Sequence, residues 1–257
     1  MGVNRARAIA IVNQKGGVGK TTTAVNLAAG LALAGRPTLL VDLDPQGNST
    51  TGLGIDKAGL NPTIYQVLVS GEPAEKARKD TALDSLKLLP SDIDLVGAEI
   101  ELVGMERREY RLRSALAEIS RSYDFVIIDC PPSLGLLTIN ALVAADRVIV
   151  PLQCEFYALE GLTHLLKTVK LVRERLNPSL RIEGIVLTMF DGRTSLALQI
   201  RSEVQQYFPG EILDAVIPRN VRLTEAPSYG KPVMLHDLRS QGSIAYLELT
   251  AEILRHE

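Results

Sequence analysis

The chain has 257 residues, of which 46% are hydrophobic, and a formal net charge of -2. That length supports one sizeable core, expected as a single domain over residues 1–257, and the near-neutral balance means that any surface for nucleic acid or membrane must be local. Two cysteines, Cys130 and Cys154, lie in apolar runs, and the N-terminus shows no charged segment followed by an apolar one, so a cytoplasmic chain with reduced thiols is expected. Every apolar stretch is interrupted well short of the roughly 20 residues that cross a bilayer.

Strand-length apolar runs fall at 8–13, 38–44, 86–89, 125–129, 147–152, 184–189 and 215–217, and helical periodicity at 20–33, 107–121, 136–145, 159–176, 196–207 and 244–254. The runs do not alternate, which is the mark of parallel strands covered on both faces. Strand and helix in turn predict an α/β fold: a doubly wound, mostly parallel sheet with helices on both faces and right-handed crossovers. In such sheets ligands bind beyond the carboxyl ends of the strands, which places Asn13, Asp44, Asp129, Leu152 and Met189 along one edge. Residues 47–85, rich in glycine, proline and charge, are the least regular part.

After the first strand the chain reads Asn13-Gln14-Lys15-Gly16-Gly17-Val18-Gly19-Lys20-Thr21-Thr22-Thr23. A glycine-rich string between a strand and a helix lets successive backbone N–H groups point at an anion, and the helix adds its positive end. Gly16, Gly17, Val18 and Gly19 form the cradle, Lys20 reaches the β- and γ-phosphates, and Thr21, with Thr22 in the same turn, offers a hydroxyl to Mg²⁺. A plain tight turn would leave Lys20 and Thr21 without a reason. The usual spacing G-x-x-x-x-G-K-[ST] asks for glycine at position 14; Gln14 stands there, with Lys15 beside it.

Two carboxylates follow apolar strands at the same edge. One segment reads Leu39-Leu40-Val41-Asp42-Leu43-Asp44-Pro45-Gln46-Gly47, the other Phe125-Val126-Ile127-Ile128-Asp129-Cys130-Pro131-Pro132-Ser133. In a phosphate-loop protein a carboxylate ending such a strand binds Mg²⁺ directly or through water, which assigns Asp129 to the metal. Asp42, two residues before Asp44, points to the same strand face and can hold Asp44 or its loop in place. Either Asp44 or Asp129 alone could be a turn or cap residue; joined to the phosphate loop in one sheet they read as functional. The histidines, His164, His236 and His256, stand away from these motifs, and neither cysteine has the neighbours of an iron-sulfur ligand.

The string Lys15-Gly16-Gly17-Val18-Gly19-Lys20-Thr21 resembles the deviant Walker A motif of the ParA/MinD group of P-loop ATPases. Residues 187–193 and 217–232 resemble its chromosome-partitioning ParA/Soj branch, with matches spread from residue 8 to about residue 250. The resemblance implies ATP and Mg²⁺ as cofactors. It implies that Lys15 reaches across a nucleotide-sandwich homodimer to the partner's ATP, as an arginine finger does. Residues 42–46 then form a first switch in which Asp44 orients the attacking water and meets the metal region. Residues 130–133 belong to a second switch, and Pro218 and Asn220 contact adenine. The implied catalytic set is Lys15, Lys20 and Asp44, and the metal set Thr21, Asp129 and Asp44. With no arginine finger in sight, slow intrinsic hydrolysis is expected, since such a finger supplies on the order of 10³ to 10⁵ in rate.

The same branch implies an ATP-bound dimer that binds double-stranded DNA without sequence preference, on the nucleoid, and leaves it when a ParB-type partner stimulates hydrolysis. Arg193 and Arg222, in motif-matching positions, and Arg219 are the expected DNA contacts; Asp191, Glu225 and Asp237 are equally available to pair with them. Arg107, Arg108, Arg111 and Arg113 read as a solvated helix face. The alternative is a MinD-like membrane-surface regulator, which adds a basic amphipathic helix at the C-terminus. Here 246–254 reads as an ordinary docked helix and the sequence ends on the acidic Glu257, so no membrane partner is expected. A metabolic ATP-dependent enzyme on this scaffold would need a further polar pocket that the sequence does not point out.

Overall fold

The computed structural model describes residues 6–156 and 158–256. Among them eight strands form one sheet: β1 (Arg7–Ile11), β2 (Thr38–Asp42), β3 (Lys79–Asp80), β4 (Leu86–Leu89), β5 (Phe125–Asp129), β6 (Arg147–Gln153), β7 (Arg181–Phe190) and β8 (Ile212–Pro218). Their order across the sheet is β3-β4-β2-β5-β1-β6-β7-β8. Every pairing is parallel except that of the short β3 with β4. The helices are α1 (Lys20–Leu33), α2 (Asn48–Gly52), α3 (Ile64–Val69), α4 (Ala74–Ala77), α5 (Leu95–Glu101), α6 (Arg111–Ile119), α7 (Leu136–Ala144), α8 (Ala158–Arg175), α9 (Ser195–Tyr207), α10 (Val221–Glu225), α11 (Val233–His236) and α12 (Gln241–Arg255).

Both faces of the sheet are covered, which is why its strands read as unbroken apolar runs. Ile9, Ile11, Leu40, Phe125 and Ile127 pack under α1, α11 and α12. Their neighbours Ala8, Ala10, Leu39, Val41, Val126 and Ile128 face α3 to α9. By the same alternation Asp42 and Asp129 lie on the α1 face. The register sets Ile11 beside Asp129 and Asp42 beside Asp129, so β1, β2 and β5 end level with one another. The helix that opens from the phosphate loop is anchored from behind: the Thr23 and Tyr246 hydroxyls meet at 3.1 Å, and Gly30 has no room for a side chain against Thr250.

The structure differs from the sequence reading at identifiable points. The strand expected at 38–44 ends at Asp42, because Asp44 closes a turn by accepting the N–H of Gln46 at 2.9 Å. The strand read at 215–217 lies in the latter half of β8, which alternates buried residues with less buried ones as an edge strand covered on one side does. The helix expected over 107–121 is α6 alone between two short 3₁₀ turns; Arg107, at φ 52°, is left-handed and cannot belong to it. The irregular stretch 47–85 holds α2, α3, α4 and β3. Of these, α3 carried a readable start signal, the capping box of Thr63 and Gln66.

Candidate nucleotide site

Between β1 and α1 the backbone turns through Gly17 at φ 75° and Gly19 at φ 85°, left-handed values open to glycine at no steric penalty. A Cβ at Gly16 or Gly17 would meet nothing within 4 Å, so the concavity they line is open. Three side chains that the motif reading passed over shape this loop. Asn13 donates to the Pro151 carbonyl at 2.8 Å and accepts the Lys15 N–H at 3.0 Å, tying the loop to the end of β6. Gln14 donates to the Gly161 carbonyl in α8 at 3.2 Å, a use for an amide where the usual motif has glycine. Thr188, at the end of β7, donates to the Val18 carbonyl at 2.8 Å and packs against Gly19. The contacts of Gln14 and Thr188, and that of Asn13 with Pro151, are distant in sequence, so no local pattern assigns them; the Asn13 contact with the Lys15 N–H is local.

The two lysines occupy different surroundings. Lys20 is buried and donates to the Lys15 carbonyl at 3.0 Å, across the mouth of its own loop. Burial lowers its pKa, with Asp129, Cys130 and Asp44 opposing that shift. Thr21 and Thr22 follow in the first turn of α1. Lys15 lies at the rim, about half exposed, and its ammonium pairs with Glu155, equally exposed, in the loop after β6. A surface pair of this kind contributes about 0 to 1 kcal/mol, too little to hold Lys15 against a polyphosphate charge.

The carboxylates form one cluster with Lys20. Asp129 is fully buried; its Oδ2 accepts the Ser49 hydroxyl at 2.8 Å, and its buried Oδ1 has no well-formed hydrogen bond. Asp42, also fully buried, accepts the Thr50 N–H at 2.8 Å, the Thr50 hydroxyl at 2.7 Å and the Asp44 N–H at 3.3 Å, so it holds the loop in place. Burial is the main cause that raises the pKa of both, and each has a further carboxylate nearby that adds to the shift. Ser49 and Thr50, in α2, were absent from the sequence reading; two hydroxyls one residue beyond Asp42-Leu43-Asp44-Pro45-Gln46-Gly47 were the available signal.

Two buried carboxylates on paired strands, one with an oxygen left over, fit a divalent cation, because such a charge relieves both repulsion and desolvation. Thr21 and Ser49 add hydroxyls that favour the charged form of Asp129. Among the described residues no group of three His, Cys, Asp or Glu side chains could hold a metal alone. That suits Mg²⁺, which takes one or two protein carboxylates and completes its shell with phosphate and water. Both thiols have raised pKa values through burial, Cys130 well above its usual range and Cys154 to about 11.

The remaining expected residues lie further along the edge. Pro218 ends β8 opposite Phe190, two residues beyond Thr188 on β7. Asn220 caps α10, its Oδ1 accepting the Arg222 N–H at 2.9 Å. Arg193 makes a two-pronged contact with Asp191 at 2.8 and 2.7 Å; Arg222 pairs with Glu225 at 2.7 Å and Asp237 at 3.3 Å. Arg219, exposed between Pro218 and Asn220, acts electrostatically on Asp191.

A parallel sheet with a glycine cradle, a buried loop lysine and a carboxylate at the end of the neighbouring strand defines a P-loop ATPase. The sequence profile of a family described as an AAA domain matches residues 6–182. The chain is 54% identical to the chromosome partitioning protein ParA of Myxococcus xanthus, over 98% of this chain and 89% of that one. It is 56% identical to the sporulation initiation inhibitor protein Soj of Bacillus subtilis, over 95% and 97%. A crystal structure of cobyrinic acid a,c-diamide synthase from Mycobacterium smegmatis with bound ATP analog and magnesium superposes with a TM-score of 0.87, at 41% identity over 98% of this chain and 95% of that one. The chain belongs to the ParA/Soj family of chromosome-partitioning ATPases.

Proposed function

We propose that the chain acts, as one ATPase domain, as a DNA-segregation switch: ATP joins two copies, the dimer binds DNA without sequence preference, and a ParB-type partner releases it by stimulating hydrolysis. The observation that carries this reading is the contrast between the lysines. Lys20 is committed to its own loop, whereas Lys15 sits at the open rim in a weak ion pair, free to serve a nucleotide held by a facing copy. The relative named for chromosome partitioning at 54% identity supports the cellular role over the synthase name carried by the structure at 41%.

In this reading the phosphates rest on the backbone N–H groups of residues 16–21 at the positive end of α1, with Lys20 on the β- and γ-phosphates. Mg²⁺ held by Thr21 and Asp129 supplies neutralisation of developing phosphate charge. Asp44 orients the attacking water, its turn fixed through Asp42. Pro218 lies against the adenine and Asn220 contacts its edge, while Arg193, Arg222 and Arg219 contribute phosphate contacts that double across the dimer. The work is done in the cytoplasm at the nucleoid.

The deciding experiment is binding to a random-sequence duplex with ATP, with ADP and without nucleotide. ATP-dependent affinity that falls steeply with salt is expected; affinity independent of nucleotide would sink the switch. Co-sedimentation with anionic vesicles, run in parallel, is expected to show no ATP-dependent binding. Among the described residues no helix is long and apolar enough to cross a membrane, and α12 buries Ala245, Tyr246, Leu249 and Ile253 against the sheet.

A further inference from the structure

The side of α5 that turns away from the core is apolar. Leu95, Ala98 and Leu102 are fully buried, whereas Ile93, Val96, Ile100 and Val103 are 64%, 52%, 75% and 58% exposed. Spacings of three, four and three residues keep those four on one stripe. Val96 and Ile100 lie on α5 itself, Ile93 in the turn that leads into it and Val103 in the 3₁₀ turn that follows. Single exposed aliphatics are ordinary; four so closely grouped mark a contact surface. Residues 88–106 also hold five carboxylates, Asp92, Asp94, Glu99, Glu101 and Glu106, and no basic residue.

The charged and polar groups facing this stripe leave it acidic. Tyr65 donates to Glu101 at 2.7 Å, and Lys57 acts on Asp92 although its ammonium donates to the Gln46 carbonyl at 2.7 Å. Arg108 donates to the Val103 carbonyl at 2.9 Å and pairs with Glu109. Glu99 Oε1 is enclosed where a side chain at Gly135 would stand and has no hydrogen bond.

We propose that the α5 stripe docks a segment of the hydrolysis-stimulating partner in which apolar residues are interspersed with lysine or arginine. The inference rests on the reading that such a partner exists. Charge complementarity selects this occupant. A second copy meeting this face about a two-fold axis would bring like carboxylates together, and DNA or an anionic membrane would be repelled. The position also connects the stripe to the chemistry. Ser91, just before α5, donates its N–H to the Thr50 hydroxyl at 3.0 Å, and that hydroxyl donates to Asp42. Glu99 packs on Gly135, in the segment that follows Asp129. A partner that shifts α5 therefore acts on both carboxylate-bearing strand ends.

The test uses the full chain with ATP, Mg²⁺ and its purified cognate ParB-type partner. In the Val96→Ser/Ile100→Ser double variant, basal hydrolysis and ATP-dependent dimerisation stay as in the parent. The partner concentration for half-maximal stimulation rises about tenfold to a hundredfold. Asp94→Lys raises it about tenfold, and added salt weakens stimulation of the parent more than of this variant. Equal stimulation of parent and variants overturns the docking site alone. A parent chain that no partner stimulates overturns the partner-driven reading beneath it. Loss of dimerisation in the double variant assigns the stripe to a second copy and overturns the proposal.

Discussion

The carboxyl ends of β1, β2 and β5 and the arginine-bearing segment beyond β7 and β8 are both charged, yet their charges are held in opposite ways. Asp42 and Asp129 are buried, and their partners come from α2, distant in sequence from Asp129. Arg193 and Arg222 are exposed and satisfied by acids two or three residues away, with Asp237 a longer contact for Arg222. A buried carboxylate oxygen without a full set of donors is costly unless something else binds it, so the first region declares a ligand. Solvated ion pairs are easily exchanged for phosphate, so the second region permits a ligand without demanding one.

Changes at the carboxyl ends of β1 and β2, from the rim lysine to the buried carboxylates, should have the largest effect. Lys15→Ala is expected to retain ATP binding by calorimetry but to lose ATP-dependent dimerisation by light scattering, and partner-stimulated turnover should fall by about 10³ or more. An unchanged dimer refutes the trans role. Asp44→Ala should also bind ATP but accumulate dimer with turnover stalled; normal turnover would remove Asp44 from the mechanism.

A second effect tests what holds the cluster together. Thr50→Val removes a hydroxyl that donates to Asp42 and accepts from the Ser91 N–H, both buried. The expected loss is about 1 to 3 kcal/mol in urea unfolding, largely regained by Thr50→Ser. A valine variant as stable as the parent would mean that the backbone N–H groups of Thr50 and Asp44 suffice for Asp42.

In the exposed region the effect should be smaller and of another kind. Arg193→Ala and Arg222→Ala should each lower the slope of log affinity for DNA against log salt by about two, roughly one per copy in the dimer, with the melting temperature and basal hydrolysis unchanged. An unchanged slope would leave these arginines as surface ion pairs only.

The smallest effect concerns pH. Because burial raises the folded pKa values of Asp42 and Asp129, these groups stabilise the metal-free chain in their protonated forms. Their contribution is full below the ordinary carboxylate value near 4 and fades as pH rises through the raised values. Asp191, held low at about 2 by Arg193, titrates outside that window. The melting temperature of the nucleotide-free chain should therefore rise from pH 7 to pH 5, and Mg²⁺ with ATP should flatten the trend. A fall over that interval contradicts the sign.

Much of this was written locally in the chain. Unbroken apolar runs foretold a sheet covered on both faces, and the glycine string with Lys20 and Thr21 foretold the cradle, because backbone freedom and strand burial are properties of neighbouring residues. Contacts made across the sheet were not legible: Asn13 on Pro151, Thr188 on Val18 and Ser49 on Asp129 each join residues that only strand order brings together. The α5 stripe was hidden for a related reason. Leu95 and Val96 are both aliphatic, and only packing against α3 and α7 decides which of them is buried and which faces water.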